Sequence, residues 1–153
     1  MILVLVRHGH YQKPPSREDN RDAGLTEAGR EQAVAAGKYM ADLGITPDLA
    51  VSTATRRTRK TAHHVLRALG AEQPVHIVPH GWSAGASREQ IEARVRQWIK
   101  FAPTTPEVVM FVGHGVQLRS IMRAFGTEPV FGKKHGAVVA VEISDDAVPQ
   151  LAG

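Results

Sequence analysis

The sequence predicts an α/β protein of three layers, in which helices cover both faces of a mostly parallel central sheet. Two observations predict this class. Short apolar runs alternate along the chain with longer segments whose apolar residues recur at helical spacing. The runs at 2–6 (ILVLV) and 107–112 (EVVMFV) are almost continuously apolar, which is typical of strands buried on both faces of a parallel sheet. Alternation of this kind favours helices packed on both sides of the sheet.

The strands are predicted where apolar and β-branched residues cluster between turn residues. Five segments meet this description: 2–6, 48–52, 75–78, 107–112 and 137–143. Polar loops with proline and glycine separate them from the helices, as at 13–25 and at 103–106.

The first two helices are predicted from their ends and their apolar stripes. Thr26 is suited to the N-cap of the first helix, and Gly44 is suited to its C-terminal stop. The second helix follows at 56–70 and ends at Gly70. Its apolar stripe consists of Ala62, Val65, Leu66 and Leu69.

Two further helices follow the third strand. Ser87 and Gln90 form the S-x-x-Q pattern of a capping box. The helix after them has apolar residues at Ile91, Val95, Trp98 and Ile99. A last helix runs through Ile121, Met122 and Phe125 and stops at Gly126.

Length and composition narrow the class of protein. The 153 residues, of which 42% are hydrophobic, fit one domain that covers 1–153. The chain has no cysteine, which excludes a disulfide framework, a cysteine metal site and a cysteine nucleophile. The first apolar run is too short for a signal peptide or a membrane span. We therefore expect a cytoplasmic protein that does not bind a membrane.

The charge is modestly basic, with 19 Lys and Arg against 15 Asp and Glu and a net charge of +4. Such an excess is typical of a mildly basic surface, and we expect no nucleic-acid partner. The alternative is that some of the arginines gather around an anionic substrate.

Two histidines follow strands that should end at the same edge of the sheet. Arg7, His8 and Gly9 come directly after the first strand, and His114 follows the fourth strand between two glycines. Ligands of open α/β sheets bind at the carboxyl ends of the strands, so both histidines should border one crevice. Glycine at these exits should let the backbone turn sharply and approach a ligand closely.

Arginines at the start of the second helix suggest the chemistry of this crevice. Arg56 and Arg57 stand where a helix N-terminus should favour an anion, and guanidinium groups suit phosphate. A neutral imidazole can attack phosphorus, while arginines and a second histidine stabilise the transferred oxygens. Zinc is the competing interpretation, but nearby arginines would repel the metal. We therefore expect phosphoryl transfer without metal or cofactor.

Four segments resemble the motifs of the histidine phosphatase superfamily, also called phosphoglycerate-mutase-like. They are LVRHGHY at the first strand, LTEAGREQA at the first helix, STATRRTRKTA at the second, and FVGHG at the fourth strand. They occur in the family's order and cover nearly the whole chain. The resemblance implies that His8 is the nucleophile and that Arg7, Arg57 and His114 bind the phosphoryl group. It selects Arg57 over Arg56.

The sequence departs from the family at the proton donor. Most relatives carry Glu or Asp after the third strand, where this chain places His80. An imidazolium can donate a proton near neutral pH, so His80 is one candidate. The nearest carboxylates are Glu72 and Glu89, and water or a good leaving group are further alternatives.

The resemblance implies a phosphatase that acts on a phosphorylated small molecule or a phosphoprotein. The short connection between Arg57 and His114 predicts a shallow cap over the site, which counts against the first alternative, a phosphoglycerate mutase. The second alternative is a non-catalytic module that binds phosphate. The sequence does not indicate the oligomeric state.

Overall fold

The computed structural model describes residues 1–14, 23–78, 86–126 and 136–143. Within these ranges the five predicted strands are present, and each end lies within one residue of its predicted position. The strands are β1 Ile2–Arg7, β2 Leu49–Ser52, β3 Val75–Ile77, β4 Val108–Gly113 and β5 Val138–Glu142. The helices are α1 Glu27–Asp42, α2 Arg56–Leu69, α3 Arg88–Trp98 and α4 Gly115–Ala124, and a 3-10 turn, Ile99–Phe101, follows α3.

The strands form one sheet in the order β3-β2-β4-β1-β5. β4 pairs in parallel with both β1 and β2, and β2 pairs in parallel with β3. β5 is antiparallel to β1 at the edge of the sheet. The prediction of a mostly parallel sheet is therefore confirmed.

Side chains that alternate along the strands enter two separate cores. Leu3 and Leu5 of β1 belong to the core that contains residues of α3 and α4, whereas Val4 and Val6 belong to the core under α1 and α2. All four side chains are fully buried. Each contributes about 1.5–3 kcal/mol through the removal of its apolar surface from water. Two cores on opposite faces of one sheet make the predicted three-layer α/β/α architecture.

Side-chain caps fix where the helices begin. The hydroxyls of Thr26, Thr55 and Ser87 accept hydrogen bonds from backbone N–H groups in the first turns of α1, α2 and α3. Ser87 and Gln90 form both hydrogen bonds of the predicted capping box. The glycines that follow three of the helices have left-handed backbone: Gly44, Gly70 and Gly126. None of the described helices combines the length and the apolar composition needed to cross a bilayer.

Candidate active site

The register of β1 and β4 brings His8 and His114 together. Arg7 pairs with Gly113 at the end of the parallel ladder, so the next residue of each strand leaves the sheet at the same place. The His8 backbone N–H donates to the Gly113 carbonyl at 3.1 Å. The two imidazole rings meet edge to face, with centroids 5.3 Å apart. The predicted juxtaposition of the two histidines is therefore present.

Hydrogen bonds fix the tautomer of His8, a side chain that is only 5% exposed. Its Nδ1 lies 2.8 Å from the Gly9 carbonyl oxygen, which can only accept a hydrogen bond. Nδ1 therefore carries the proton, and the neutral ring has its lone pair on Nε2. The Gly9 N–H donates to Thr61 Oγ1 at 3.0 Å, and Thr61 donates to the Arg57 carbonyl at 2.7 Å. These bonds tie the loop after β1 to the first turns of α2.

Arg57 faces the same site from the first turn of α2. Its side chain is 7% exposed, and its Cζ lies 4.2 Å from the centroid of the Tyr11 ring. The Tyr11 ring lies 5.4 Å from the His8 ring, so tyrosine contacts both groups. Burial lowers the pKa of Arg57 from its usual value. A buried cation over an aromatic ring is well suited to bind an oxyanion.

A second arginine accompanies Arg7. A Cβ atom built on Gly115 would stand 3.3 Å from Arg7 Cζ and 3.1 Å from Arg119 Nη1, so both guanidinium groups border that glycine. The pKa of Arg7 is lowered first by burial and then by the charge of Arg119. Two cations this close make an environment that favours an anion. Arg119 was not found from the sequence, although it stands one helical turn after Gly115 on α4.

A set of buried threonine hydroxyls supports His114. Thr53 Oγ1 lies 3.1 Å from His114 Nε2 and donates to Thr58 Oγ1 at 2.9 Å. Thr58 in turn shares its one hydroxyl proton between the backbone carbonyls of Thr53 and Thr55. Because the proton of Thr53 is directed to Thr58, Thr53 Oγ1 is left to accept from His114 Nε2. The sequence signal for this network is the repeated threonine in STATRRT, whose polarity is unusual beside a buried strand.

Residues 3–80, about half of the chain, match the family model of the histidine phosphatase superfamily, branch 1. The chain belongs to the histidine phosphatase superfamily. The matched segment contains Arg7, His8 and Arg57, and the fold brings His114, which follows β4, beside His8.

The relatives that this chain matches include both a mutase and a protein phosphatase. A stretch of 70 residues, 44% of this chain, is 39% identical to the 2,3-bisphosphoglycerate-dependent phosphoglycerate mutase of Bartonella tribocorum, and it covers 34% of that protein. A longer stretch of 140 residues, 76% of this chain, is 29% identical to the mitochondrial serine/threonine-protein phosphatase Pgam5 of Drosophila willistoni and covers 47% of it. The chain therefore spans between a third and a half of these relatives.

A solved structure of the superfamily shares the fold. It is the protein histidine phosphatase SixA in complex with tungstate, which superposes with a TM-score of 0.76 at 12% identity. The match covers 97% of this chain and 92% of that one. At this identity the likeness shows the fold alone.

The glycines where β1 and β4 end contribute to the site through close packing. Gly9, Gly113 and Gly115 all have negative φ, so none of them uses a backbone conformation that only glycine tolerates. Gly9 instead allows close packing against α1, because a Cβ there would overlap the Gly29 carbonyl. A Cβ on Gly113 would stand 2.7 Å from the Phe111 ring. These close approaches are to the protein's own backbone and side chains, and the expected close approach to a ligand stays a prediction.

The proton donor is not assigned, because only some of its candidates lie in described segments. His80 falls within 79–85, outside the described residues. Glu89 is exposed in the first turn of α3, and Glu72 is exposed before β3. The assignment of His80, Glu89 or water as the donor therefore stays a prediction.

In the part of the chain that the structure describes, no three His, Asp or Glu side chains are grouped in a way that could hold a metal ion. The expectation of metal-free chemistry stays a prediction.

Proposed function

We propose that the protein is a phosphatase that forms a phosphohistidine on His8. The observation that carries this proposal is the tautomer of His8, which leaves the lone pair of the neutral ring on Nε2, in a buried side chain whose ring lies beside those of His114 and Tyr11. Arg57 contacts the same Tyr11 ring, and Arg7 directly precedes His8. An imidazole in this state is a ready nucleophile for phosphorus.

The reaction has two steps. In the first, Nε2 attacks phosphorus, the bond from phosphorus to the leaving oxygen or nitrogen breaks, and a proton donor supplies the proton to that atom. In the second, water attacks the phosphohistidine and returns one proton to the donor, the N–P bond breaks, and inorganic phosphate leaves as hydrogen phosphate while His8 returns to its neutral state. Atoms and charge balance without an oxidant or a second substrate.

Arg7, Arg57 and Arg119 supply the electrostatic stabilisation in this proposal. Phosphoryl transfer spreads negative charge over the three non-bridging oxygens, and preorganised cations stabilise that charge. Burial of Arg57 strengthens its interaction with an anion, because water screens it less. His114, whose Nε2 lies 3.1 Å from Thr53 Oγ1, adds to this positive charge when it is protonated. These side chains take the place that metal ions occupy in other phosphatases.

The substrate proposed is a phosphomonoester or a phosphoramidate, on a small molecule or on a protein. Relatives named as a mutase, a serine/threonine-protein phosphatase and a histidine phosphatase all support phosphoryl chemistry. The described segments between α2 and β4 are β3, α3 and a 3-10 turn, which supports an open site rather than the closed site that a mutase needs. We also propose a cytoplasmic location, because a chain without cysteine suits a reducing compartment.

The test is to trap the intermediate. The protein is mixed with a ³²P-labelled substrate, quenched in alkali, in which phosphohistidine survives, and digested for mapping. The label is expected on His8, and His8→Ala is expected to lower kcat by about 10³-fold or more, because the nucleophile is gone. His63→Ala, an exposed histidine on α2, serves as the matched control and should keep full activity. A stable label on another residue, with none on His8, would overturn the mechanism.

A further inference from the structure

A second basic feature lies beside the candidate active site. A groove of about 610 Å³ runs between the loop after β1, the start of α1 and the exposed side of α2. We call it the basic groove, and its polar lining includes Gln12, Glu27, Arg30, Arg56, Lys60 and His64.

The charges of the basic groove are unbalanced. Arg30, Arg56 and Lys60 are positive, and Glu27 is the one carboxylate in the described lining. Glu27 contacts Arg30 at 3.5 Å in an exposed pair, which water screens strongly. These positive charges also act on His64. Burial is the first cause that lowers its pKa, and the charges of Arg30, of Lys60 and of two neighbours on α2 lower it further. An anionic ligand would relieve this accumulation of positive charge.

The shape of the basic groove fits a chain rather than a single small ion. Arg56, Lys60 and His64 stand at positions i, i+4 and i+8 of α2, so they follow one stripe about 12 Å long. An extended peptide advances about 3.3 Å per residue, so the stripe spans three to four residues.

The basic groove adjoins the candidate active site. The Tyr11 ring contacts His8 and Arg57, and the residue after it, Gln12, lines the groove. Tyr11 also pairs with Leu25, a further lining residue, in an isolated β-bridge. A peptide bound at His8 therefore has the groove within reach of the residues that flank its phosphorylated side chain.

We propose that the basic groove binds acidic residues that flank the phosphorylated residue of a protein substrate. The inference rests on the proposed phosphatase function and names its substrate class, an acidic phosphoprotein. Exposed ion pairs are individually weak and depend on salt, so the groove should add selectivity rather than most of the affinity.

The kinetic test compares two forms of one phosphopeptide that differ only in the flanking residues, four Asp or four Asn. At low ionic strength kcat/KM should be about tenfold higher for the Asp form, and the preference should shrink in 0.5 M salt. The double variant Arg56→Gln, Lys60→Gln should reduce the preference to about threefold or less. The matched control is Lys38→Gln, Arg123→Gln, which removes two exposed charges outside the groove and should keep the preference. Equal kcat/KM for the two peptides, with normal turnover of both, would overturn this inference and leave the phosphatase proposal standing.

A binding test measures the affinity of the basic groove for an acidic peptide even if no peptide is hydrolysed. A fluorescent, unphosphorylated four-Asp peptide should bind the wild-type chain and the control double variant with similar affinity. Its affinity for Arg56→Gln, Lys60→Gln should be about five- to tenfold weaker in the same anisotropy assay. A loss shared by both double variants would show a general charge effect and contradict the proposal. A single-stranded oligonucleotide of equal charge can be added as a competitor. If it displaces the fluorescent peptide at a much lower concentration than the unlabelled peptide does, the groove is a nucleic-acid site and the proposal is wrong.

Discussion

The rings of His8 and His114 meet at 61° with their centroids 5.3 Å apart, and their hydrogen bonds give them different roles. His8 donates from Nδ1 to a carbonyl, whereas His114 faces the Thr53 hydroxyl through Nε2. Two full charges this far apart repel by about 3 kcal/mol at an effective dielectric constant of about 20. The pair therefore disfavours two protonated rings at once, which agrees with the proposed neutral nucleophile at His8.

Thr53→Val tests whether the hydroxyl holds His114 in its protonated state. Valine keeps the shape but cannot accept the hydrogen bond, so kcat/KM for an aryl phosphate should fall by about 10- to 100-fold. Thr53→Ser should keep most of the activity. Where a protonated His114 is needed, activity declines as pH rises through its pKa. Without its acceptor the imidazolium is less stable, so this decline should move to lower pH in the valine variant.

The pH profile of the Thr53→Val variant separates a loss of the hydrogen bond to His114 from a general loss of structure. A Thr53→Val enzyme with lower activity at every pH and an unchanged profile would contradict the proposed role. Urea unfolding of both variants provides the control for stability, since Thr53 is fully buried.

The fold was predictable because the signals that set it are local. Apolar runs, helical stripes and capping residues such as Ser87 act within a few positions of the chain, and each of them is where the sequence places it. The meeting of His8 and His114 was also predictable, since parallel strands end at one edge of the sheet.

The residues that sequence reasoning missed depend on tertiary direction. Tyr11, Thr53 and Arg119 stand in segments whose positions were predicted, but only the packed structure shows which way their side chains point. The packing of Gly9 was missed for the same reason, because its close neighbour is Gly29 of α1, a residue 20 positions further along the chain. Contacts between separate elements have no periodic signal in a single sequence.

Gly9→Ala should destabilise the protein. The added methyl group would overlap the Gly29 carbonyl, and overpacking of this kind costs about 1–3 kcal/mol. Gly44→Ala is the comparison, since a Cβ there meets nothing within 4 Å and the cost comes from its positive φ alone, about 1 kcal/mol. Urea denaturation should give the larger loss for Gly9→Ala, with a loss of activity because the His8 loop shifts. A smaller loss than that of Gly44→Ala would show that the loop adapts easily.

Activity should not require a metal ion. The oxyanion is bound by guanidinium groups at Arg7, Arg57 and Arg119 in the proposed mechanism, so dialysis against a chelator should leave kcat/KM for an aryl phosphate unchanged. The measurement is repeated after addition of zinc or magnesium. Activity that disappears with the chelator and returns with either ion would contradict the arginine-based mechanism.

The last prediction concerns His80 as the donor to the leaving group. A donor must be protonated when the substrate is bound, so activity on an alkyl phosphate should fall as pH rises through the titration of that imidazole, which is ordinarily centred near pH 6.5. An aryl leaving group departs without a proton. His80→Asn should therefore keep most of the activity on an aryl phosphate and lose about 10²–10⁴-fold on an alkyl phosphate. His10→Asn, which changes an exposed histidine in the loop after β1, is the matched control.

Equal losses on both substrates would make His80 a binding residue. No loss on either would leave Glu89 or water as the donor, and Glu89→Gln with the same pair of substrates would then decide between those two.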